Sequence, residues 1–418
     1  MIYVIGSGFS GLTTAYALYL RGIKSTVISP SEKFKKNNIN LFNYLLKNNN
    51  EFYYNSSSLK KEILKINNTK LLNCKYFLSH SDGGQSNFWG GVVGNSYNYE
   101  SKNSKIRKSS FFVLKKKYNL LLNLIGLPKI DREKIEKKNY INTRNYFVKK
   151  KNVSSLKKFL IKKKISFISN IYVKKIDFIN NNLISYNLKN KEMINLSYNK
   201  VFISCGPVET AKLLINSISK LNRVTLKETR HFYCFLKIKK NLSSRFLDIN
   251  LKKYKFYCQI YSNKDALSIL YKKIFQKTKK ELKKGYYFAQ CYLDEKFSGK
   301  ITINKNKNKF IIIGKENKNF KIDEFRKYIK KFNKKNQKIL IKKFYFNQIG
   351  ASNHLGCSFP IINNSNKINS VNTFGKLNKQ KNIYLSDSSV LNSIDTSPLT
   401  SFSIFNLLRM VLHNKDIK

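Results

Sequence analysis

The stretch Met1-Ile2-Tyr3-Val4-Ile5-Gly6-Ser7-Gly8-Phe9-Ser10-Gly11-Leu12-Thr13-Thr14-Ala15-Tyr16-Ala17-Leu18-Tyr19-Leu20-Arg21-Gly22 decides the fold. Ile2 to Ile5 form a short apolar run of the kind that makes a buried strand, and it runs straight into Gly-x-Gly-x-x-Gly at Gly6, Gly8 and Gly11. A helix is predicted over residues 10–21, closed by Gly22 as its C-terminal cap, and a second apolar strand over 25–29. The glycine spacing alone is weak. Strand, glycines, helix and strand in that order are the context a dinucleotide fingerprint requires. Gly6 is expected at the tight turn, Gly8 where a pyrophosphate nears the backbone, and Gly11 where helix and strand pack closely. The helix N-terminus offers N–H groups to the phosphates. One departure stands out. The carboxylate expected after the second strand, to hold a ribose diol, is absent; Ser29 and Pro30 stand there, with Glu32 beyond.

The chain has 418 residues, enough for two or three domains, and its 42% hydrophobic and 25% charged residues favour a packed core over disorder. No apolar run reaches the roughly 18 residues of a membrane-spanning helix. The six cysteines (Cys74, Cys205, Cys234, Cys258, Cys291, Cys357) form no Cys-x-x-Cys pair, and only four histidines accompany them, so no structural zinc site is expected. With no basic leader before Ile2, no secretory signal is read, and a cytoplasmic address is the expectation. The 81 basic residues against 23 acidic give a formal charge of +58, which would attract nucleic acid, anionic lipid or phosphorylated ligands. The Lys excess arrives with equally heavy Asn, Ile, Phe and Tyr usage, the residues of A- and T-rich codons. It is read as compositional drift over a solvated surface: no specific nucleic-acid binding, and at most peripheral contact with an anionic membrane.

Only 17 glycines are present, and a second group of them clusters in Ser81-Asp82-Gly83-Gly84-Gln85-Ser86-Asn87-Phe88-Trp89-Gly90-Gly91, which carries the only tryptophan. Small residues at Ser86 and Asn87 suit close backbone approach to a flat ligand, and Trp89 offers a rigid wall. Taken alone, this reads equally as a packed loop or as a site. A third segment, Val201-Phe202-Ile203-Ser204-Cys205-Gly206-Pro207-Val208-Glu209-Thr210, reads as buried strand, turn and helix. The fourth comprises Ser352-Asn353-His354-Leu355-Gly356, then Tyr384-Leu385-Ser386-Asp387, then Ser397-Pro398-Leu399 and an apolar helix to about residue 412.

In this order the four segments resemble the glucose–methanol–choline (GMC) oxidoreductases, flavoproteins that oxidise alcohols and sugars, and most nearly their shorter bacterial members, some of which sit with surface-polysaccharide biosynthesis. The motifs span both ends of the chain but about half its length; residues 225–344 carry none. The resemblance implies an α/β fold: a Rossmann-like FAD-binding domain built on a doubly wound parallel sheet, with an inserted α+β substrate domain on an antiparallel sheet. Residues 1–110, 153–223 and 347–418 are assigned to the first, 224–346 to the second, and 111–152 to a connecting helical or loop segment. It implies FAD held by Gly6, Gly8 and Gly11, with Ser29 at the ribose position, Val173 on the strand that offers backbone to the adenine, and Gly206 beside it. Gly84, Ser86, Asn87 and Trp89 would lie along the flavin, and Asp387 near the ribityl chain. Where some relatives bind flavin covalently through histidine, Phe88 stands here, so FAD is expected to be non-covalent.

Alcohol oxidation moves a hydride from carbon to flavin and a proton from oxygen to a base. Histidine suits the base because its pKa is near neutral. His354 matches the family's catalytic histidine. Ser397 stands where the family has a second His or Asn, and Asn353 could share that role. Pro398 suits the first position of the last helix, which has no intrahelical N–H partner, and N–H groups from Leu399 onward would stabilise charge on the reduced cofactor. The expected function is oxidation of a CH–OH group of a small alcohol or sugar, with basic walls favouring a phosphorylated or acidic one and the electron acceptor left open. The competing readings are a non-catalytic flavin-binding relative, given Ser29 and Ser397, and a charge-driven nucleic-acid or anionic-membrane binder. Residues 33–50, 101–117 and 305–319 read as loops or solvated faces, and 324–343 as one basic amphipathic helix.

Overall fold

The computed structural model describes residues 1–30, 52–54, 68–80, 82–88, 92–94, 108–126, 145–147, 153–239, 246–261, 285–352, 354–362, 366–394, 396 and 399–417. Its α-helices, in chain order, are α1 (Phe9–Leu20), α2 (Lys108–Leu124), α3 (Val153–Lys162), α4 (Pro207–Ser217), α5 (Ile322–Lys335) and α6 (Leu399–Leu412). None of the helices among the described residues is long and apolar enough to cross a membrane.

The central sheet has five parallel strands in the order Ile383–Leu385, Lys200–Ile203, Ile2–Ile5, Thr26–Ile28 and Ser166–Ile168. Successive side chains on a strand point to opposite faces, and here both faces are apolar. Val4, Val27, Phe202 and Tyr384 join the core formed with α1, α2, α3 and α6. Tyr3, Ile5, Ile28, Val201, Ile203, Ile383 and Leu385 join a second core with α4. Burial on both faces is why these strands read as unbroken apolar runs. The chain passes from Ile2–Ile5 through α1 to Thr26–Ile28 and on to Ser166–Ile168, then crosses back to Lys200–Ile203 on the other side of Ile2–Ile5. That reversal leaves a crevice at the carboxyl ends of the two central strands, where ligands of such sheets bind.

An antiparallel meander, Ile171–Asp177, Asn182–Asn187 and Glu192–Ser197, packs on α4. A second five-stranded sheet runs Leu355–Gly356, Arg223–Glu228, Lys300–Asn306, Lys309–Lys315 and Thr69–Leu72, so it joins strands from within 224–346 to strands on both sides of that interval. The third is wholly antiparallel, in the order Phe246–Asn250, Lys255–Tyr261, Tyr286–Leu293, His231–Ile238 and Ile339–Phe346. Phe232, Cys234, Leu236, Cys258, Cys291 and Ile341 face α5, whose Phe325, Ile329 and Phe332 form a one-sided stripe. The alternate residues His231, Tyr233, Tyr257, Gln259, Gln290 and Tyr292 take the opposite face. The architecture is therefore the expected parallel Rossmann-like sheet with a separate antiparallel sheet.

Local readings differ at three places. Residues 108–117, read as loop or solvated face, with a helical or loop segment from 111, belong to α2, because Leu114, Tyr118, Leu121 and Leu122 form a buried stripe among the lysines. The stretch 324–343 is not one helix: α5 ends at Lys335, and the Asn336 side chain accepts the N–H groups of Lys338 (3.0 Å) and Ile339 (3.1 Å), turning the chain into a strand. Most of 305–319 is a hairpin, turned at Lys307 with φ of 52°.

Candidate active site

Gly6 ends the first strand with φ of 114°, and a Cβ there would lie 2.4 Å from the Ser204 carbonyl oxygen. Its N–H donates to Ile28 O (2.8 Å), closing the turn between neighbouring strands. Gly11 is tighter: a Cβ would lie 1.8 Å from Gly6 O, so α1 can sit this close to the strand only without a side chain. Gly8 differs. Its φ of −71° suits any residue, and a Cβ would meet nothing nearer than Gly83 O at 3.9 Å. Packing against the described residues does not call for glycine at position 8. As N-cap of α1, Gly8 supplies no side-chain cap to the first turn, the end of the helix that carries its partial positive charge. At its other end α1 closes as expected, with Gly22 at φ of 70° and Ile23 N–H bonded to Leu18 O at 3.0 Å.

The second glycine cluster lies against the first. Gly83 forms a parallel bridge with Gly8, and a Cβ on Gly84 would lie 3.5 Å from Gly8 Cα. Gly84–Phe88 is a 3₁₀ turn held by Ser86, whose N–H (3.1 Å) and hydroxyl both donate to Gly83 O. Beside it Asp82 pairs with Lys157 at 2.6 Å and accepts from Ser7 Oγ at 3.5 Å. Gly84 and Ser86 are thus brought alongside Gly8, and Asn87 lies in the same turn; Trp89 lies outside the described residues.

Gly206, with φ of 83°, leads into α4, which opens on Pro207. Asp387 is buried next to it, its carboxylate accepting from Thr210 Oγ1 (2.6 Å) and Ser389 N–H (2.8 Å), as well as from the Gly206 N–H. Burial nonetheless pushes its pKa above the usual carboxylate range. Asp387 therefore ties the end of one parallel strand to the first turn of α4. Ser29 is buried where Thr26–Ile28 ends: its N–H donates to Ile168 O (3.0 Å) and its carbonyl accepts from Ile171 N–H (3.1 Å), which joins it to the meander strand carrying Val173.

Sequence reasoning missed a buried charged cluster on α4. Lys212 and Glu209 pair at 3.0 Å, and Tyr172 donates to Glu209 Oε2 at 3.1 Å, with the His80 ring edge-on to Tyr172 at 6.1 Å. The i,i+3 spacing of Glu209 and Lys212 was the available signal. Burial pushes His80 down to about 4.

His354 lies just before the short strand Leu355–Gly356, which pairs with Lys227 and Glu228. Its backbone is held at both ends: the carbonyl accepts from Thr229 N–H (3.3 Å), and the N–H donates to Ser352 Oγ (3.2 Å). Ser352 Oγ in turn donates to the buried Glu228 Oε2 at 3.3 Å, and Gly350 N–H donates to the same oxygen at 2.7 Å. Burial pushes Glu228 up to about 7. The imidazole Nδ1 is 3.3 Å from Thr229 Oγ1, and the ring stacks on Tyr292 with centroids 4.2 Å apart and planes 8° from parallel. Desolvation pushes His354 down to about 4, so the ring is neutral at pH 7. A Cβ on Gly356 would lie 2.5 Å from Ser388 O, so the histidine strand presses against the residues that follow Asp387. Cys357, Leu391, Ile394 and Leu399 form one apolar cluster, tying this strand to the start of α6. Asn353, Ser397 and Pro398 lie outside the described residues.

No family model matches the sequence, and no curated protein matches it. Among solved structures, pyridoxine 4-oxidase from Mesorbium loti, a GMC oxidoreductase, matches 98% of this chain and 98% of its own, with a TM-score of 0.61 and 10% sequence identity. At that identity the likeness shows the fold, which extends over nearly the whole of both chains.

Proposed function

We propose that this chain, built on the fold of a GMC oxidoreductase, is an FAD-dependent oxidoreductase that oxidises a CH–OH group of a small alcohol or sugar, with His354 as the base. One observation carries this reading. A glycine cradle at the sheet's switch point and a neutral imidazole are joined through the segment 386–389. The residues fit a dinucleotide, because Gly8 is the glycine that the protein's own packing does not require. Gly6, Gly8, Gly11 and the first turn of α1 would hold the pyrophosphate; Ser29, Val173 and Gly206 would flank the adenosine half. Gly84, Ser86, Asn87 and Trp89 would lie along the ring system, with Asp387 at the ribityl chain. When bound, FAD supplies the two-electron acceptor for the hydride leaving the carbinol carbon.

The protein's own part is the proton. With Nδ1–H donating to Thr229 Oγ1, His354 presents the Nε2 lone pair to the substrate hydroxyl and takes its proton as the C–H bond breaks. Thr229 Oγ1 can accept from that tautomer and holds the ring at Nδ1, and the Ser352–Glu228 contacts hold the backbone beneath it. Ser397, Asn353, and the α6 start at Pro398 and Leu399 would complete the far wall. The neighbour's name supports a small ring-bearing alcohol as substrate; a sugar derivative such as a surface-polysaccharide precursor is the alternative class. Because Phe88 replaces the histidine that tethers flavin in some relatives, acid or detergent should release the chromophore from the polypeptide. Substituting His354→Ala should leave FAD bound and abolish anaerobic bleaching by an alcohol panel; bleaching at the wild-type rate would remove His354 from this role.

A further inference from the structure

The His354 imidazole is one member of a three-ring stack. Tyr292 lies against it at 4.2 Å and 8°, and Tyr292 stacks in turn with His231, at 5.1 Å and 10°. His231 is itself clamped. Its Nδ1 is 2.8 Å from Asn347 Nδ2, its carbonyl accepts the Asn347 N–H at 2.9 Å, and Tyr233 meets it edge-on at 4.5 Å and 67°. The Tyr292 hydroxyl accepts from Gln290 Nε2 at 2.5 Å. An amide nitrogen can only donate, so the bond from Asn347 makes Nδ1 of His231 an acceptor and holds that ring neutral.

We propose that Tyr292 is a positioning residue for His354: wedged against a fixed neutral His231, it sets the plane of the imidazole and presents its π face to the imidazolium formed when Nε2 takes up the substrate proton. Two parts of the geometry point this way. A near-parallel contact on one face, with Thr229 at Nδ1, leaves the ring no rotation that keeps both. An aromatic face against a cation is attractive and most so in a desolvated site, whereas the same contact to the neutral ring is weaker, so the stack favours the proton-bound form. That counters the desolvation that otherwise opposes charge on His354. A neutral His231 adds no repelling charge.

Among the described residues, the other titratable groups nearby include Tyr233 on the antiparallel sheet, Lys227 with its partner Glu295, Glu228 and Arg230 around the end of Arg223–Glu228, and Asp387 and Cys357 on the C-terminal side. None of them lies in the ring stack, so a change confined to Tyr292 isolates the effect.

The inference rests on His354 being the base, and the test separates the two. Ring-proton NMR of the four histidines, with His354 assigned by loss in His354→Gln, reads the stack without substrate. The expected result is an upfield ring-current shift of the His354 protons, kept in Tyr292→Phe and lost in Tyr292→Leu, with the His354 titration displaced downward at least threefold in proton affinity in the Leu variant. In substrate reduction, Tyr292→Leu should slow the proton-dependent step about tenfold and move its acid limb, and Tyr292→Phe should restore both. If Tyr292→Leu does not fold, His231→Leu, which removes the supporting ring, should broaden and shift the same signals. An unshifted His354 resonance in the wild type, or equal titration in the Phe and Leu variants, overturns the proposal. A wild type that reduces no substrate yet shows the shifted, Tyr292-dependent titration retires the oxidoreductase reading and keeps the stack.

Discussion

Gly8 and Gly11 belong to one motif, yet the structure predicts opposite consequences for the same substitution. In Gly11→Ala the new methyl group would start 1.8 Å from Gly6 O, where ordinary contact begins near 3.4 Å. Helix α1 must therefore move by roughly 1.6 Å or the first strand must bend. Overpacking of this kind costs about 1–3 kcal/mol, and at roughly 2–4 °C per kcal/mol for a large domain the thermal midpoint of the flavin-free protein should fall by several degrees. In Gly8→Ala the methyl group meets only Gly83 O, at 3.9 Å, with φ already at −71°. The flavin-free protein should unfold within a degree of the wild type. Flavin uptake, followed by absorbance after reconstitution and gel filtration, should be lost in both variants. Thermal scans of stripped protein, paired with that titration, decide the matter. A Gly8→Ala protein that binds FAD as tightly as the wild type would refute the cradle, since nothing among the described residues explains glycine at that position.

Lys212→Met leaves Glu209 buried without its 3.0 Å partner and should cost about 3–5 kcal/mol in urea denaturation; adding Glu209→Gln should recover much of this. Glu228 is raised from 4.5 to about 7 on folding, so the folded state holds the extra proton: its contribution is full below pH 4.5 and disappears as pH rises through 7. Glu228→Gln, which keeps an acceptor for Gly350 N–H, should gain about 3 kcal/mol relative to the wild type between those limits, read from denaturation midpoints across the pH range. His80, His231 and His354 work the other way. Lowered to about 4, 3 and 4, they favour the folded state above 6.5 and lose that contribution as pH falls toward those values, so acid unfolding should set in below pH 6. Gly206→Ala places a side chain at φ 83° and ψ 153° with no neighbour within 4 Å, so its cost, about 1–3 kcal/mol in the same denaturation assay, should be backbone strain alone.

The parallel sheet and the glycine turns were legible because their causes are local. A strand buried on both faces must be apolar at every position, and a turn that forbids Cβ must be glycine. Helix α2 was obscured because its buried stripe is set among Lys and Ser residues that reflect the overall composition. The stretch 324–343 hides a turn made by one asparagine side chain. At the candidate site, His354 could be singled out from Asn353-His354-Leu355-Gly356, whereas its partners could not. Thr229, His231 and Tyr292 come from residues that carry no motif, and strand pairing alone brings them to the histidine. No spacing along the chain encodes that meeting.

Much of what holds helix α1 in place lies far along the chain, 390 residues on in the case of Val411. The Arg21 guanidinium at its C-terminus donates to the carbonyls of Val411 (2.9 Å), Asn414 (2.7 Å) and Ile417, and α6 packs along its side. During synthesis the glycine turn must therefore wait, with the apolar flank of α1 uncovered, until residues beyond 399 leave the ribosome. Nascent chains of this protein should depend on chaperones through that interval, and a stop codon at the start of α6 should send the product to proteolysis even though Gly6, Gly8 and Gly11 have been translated.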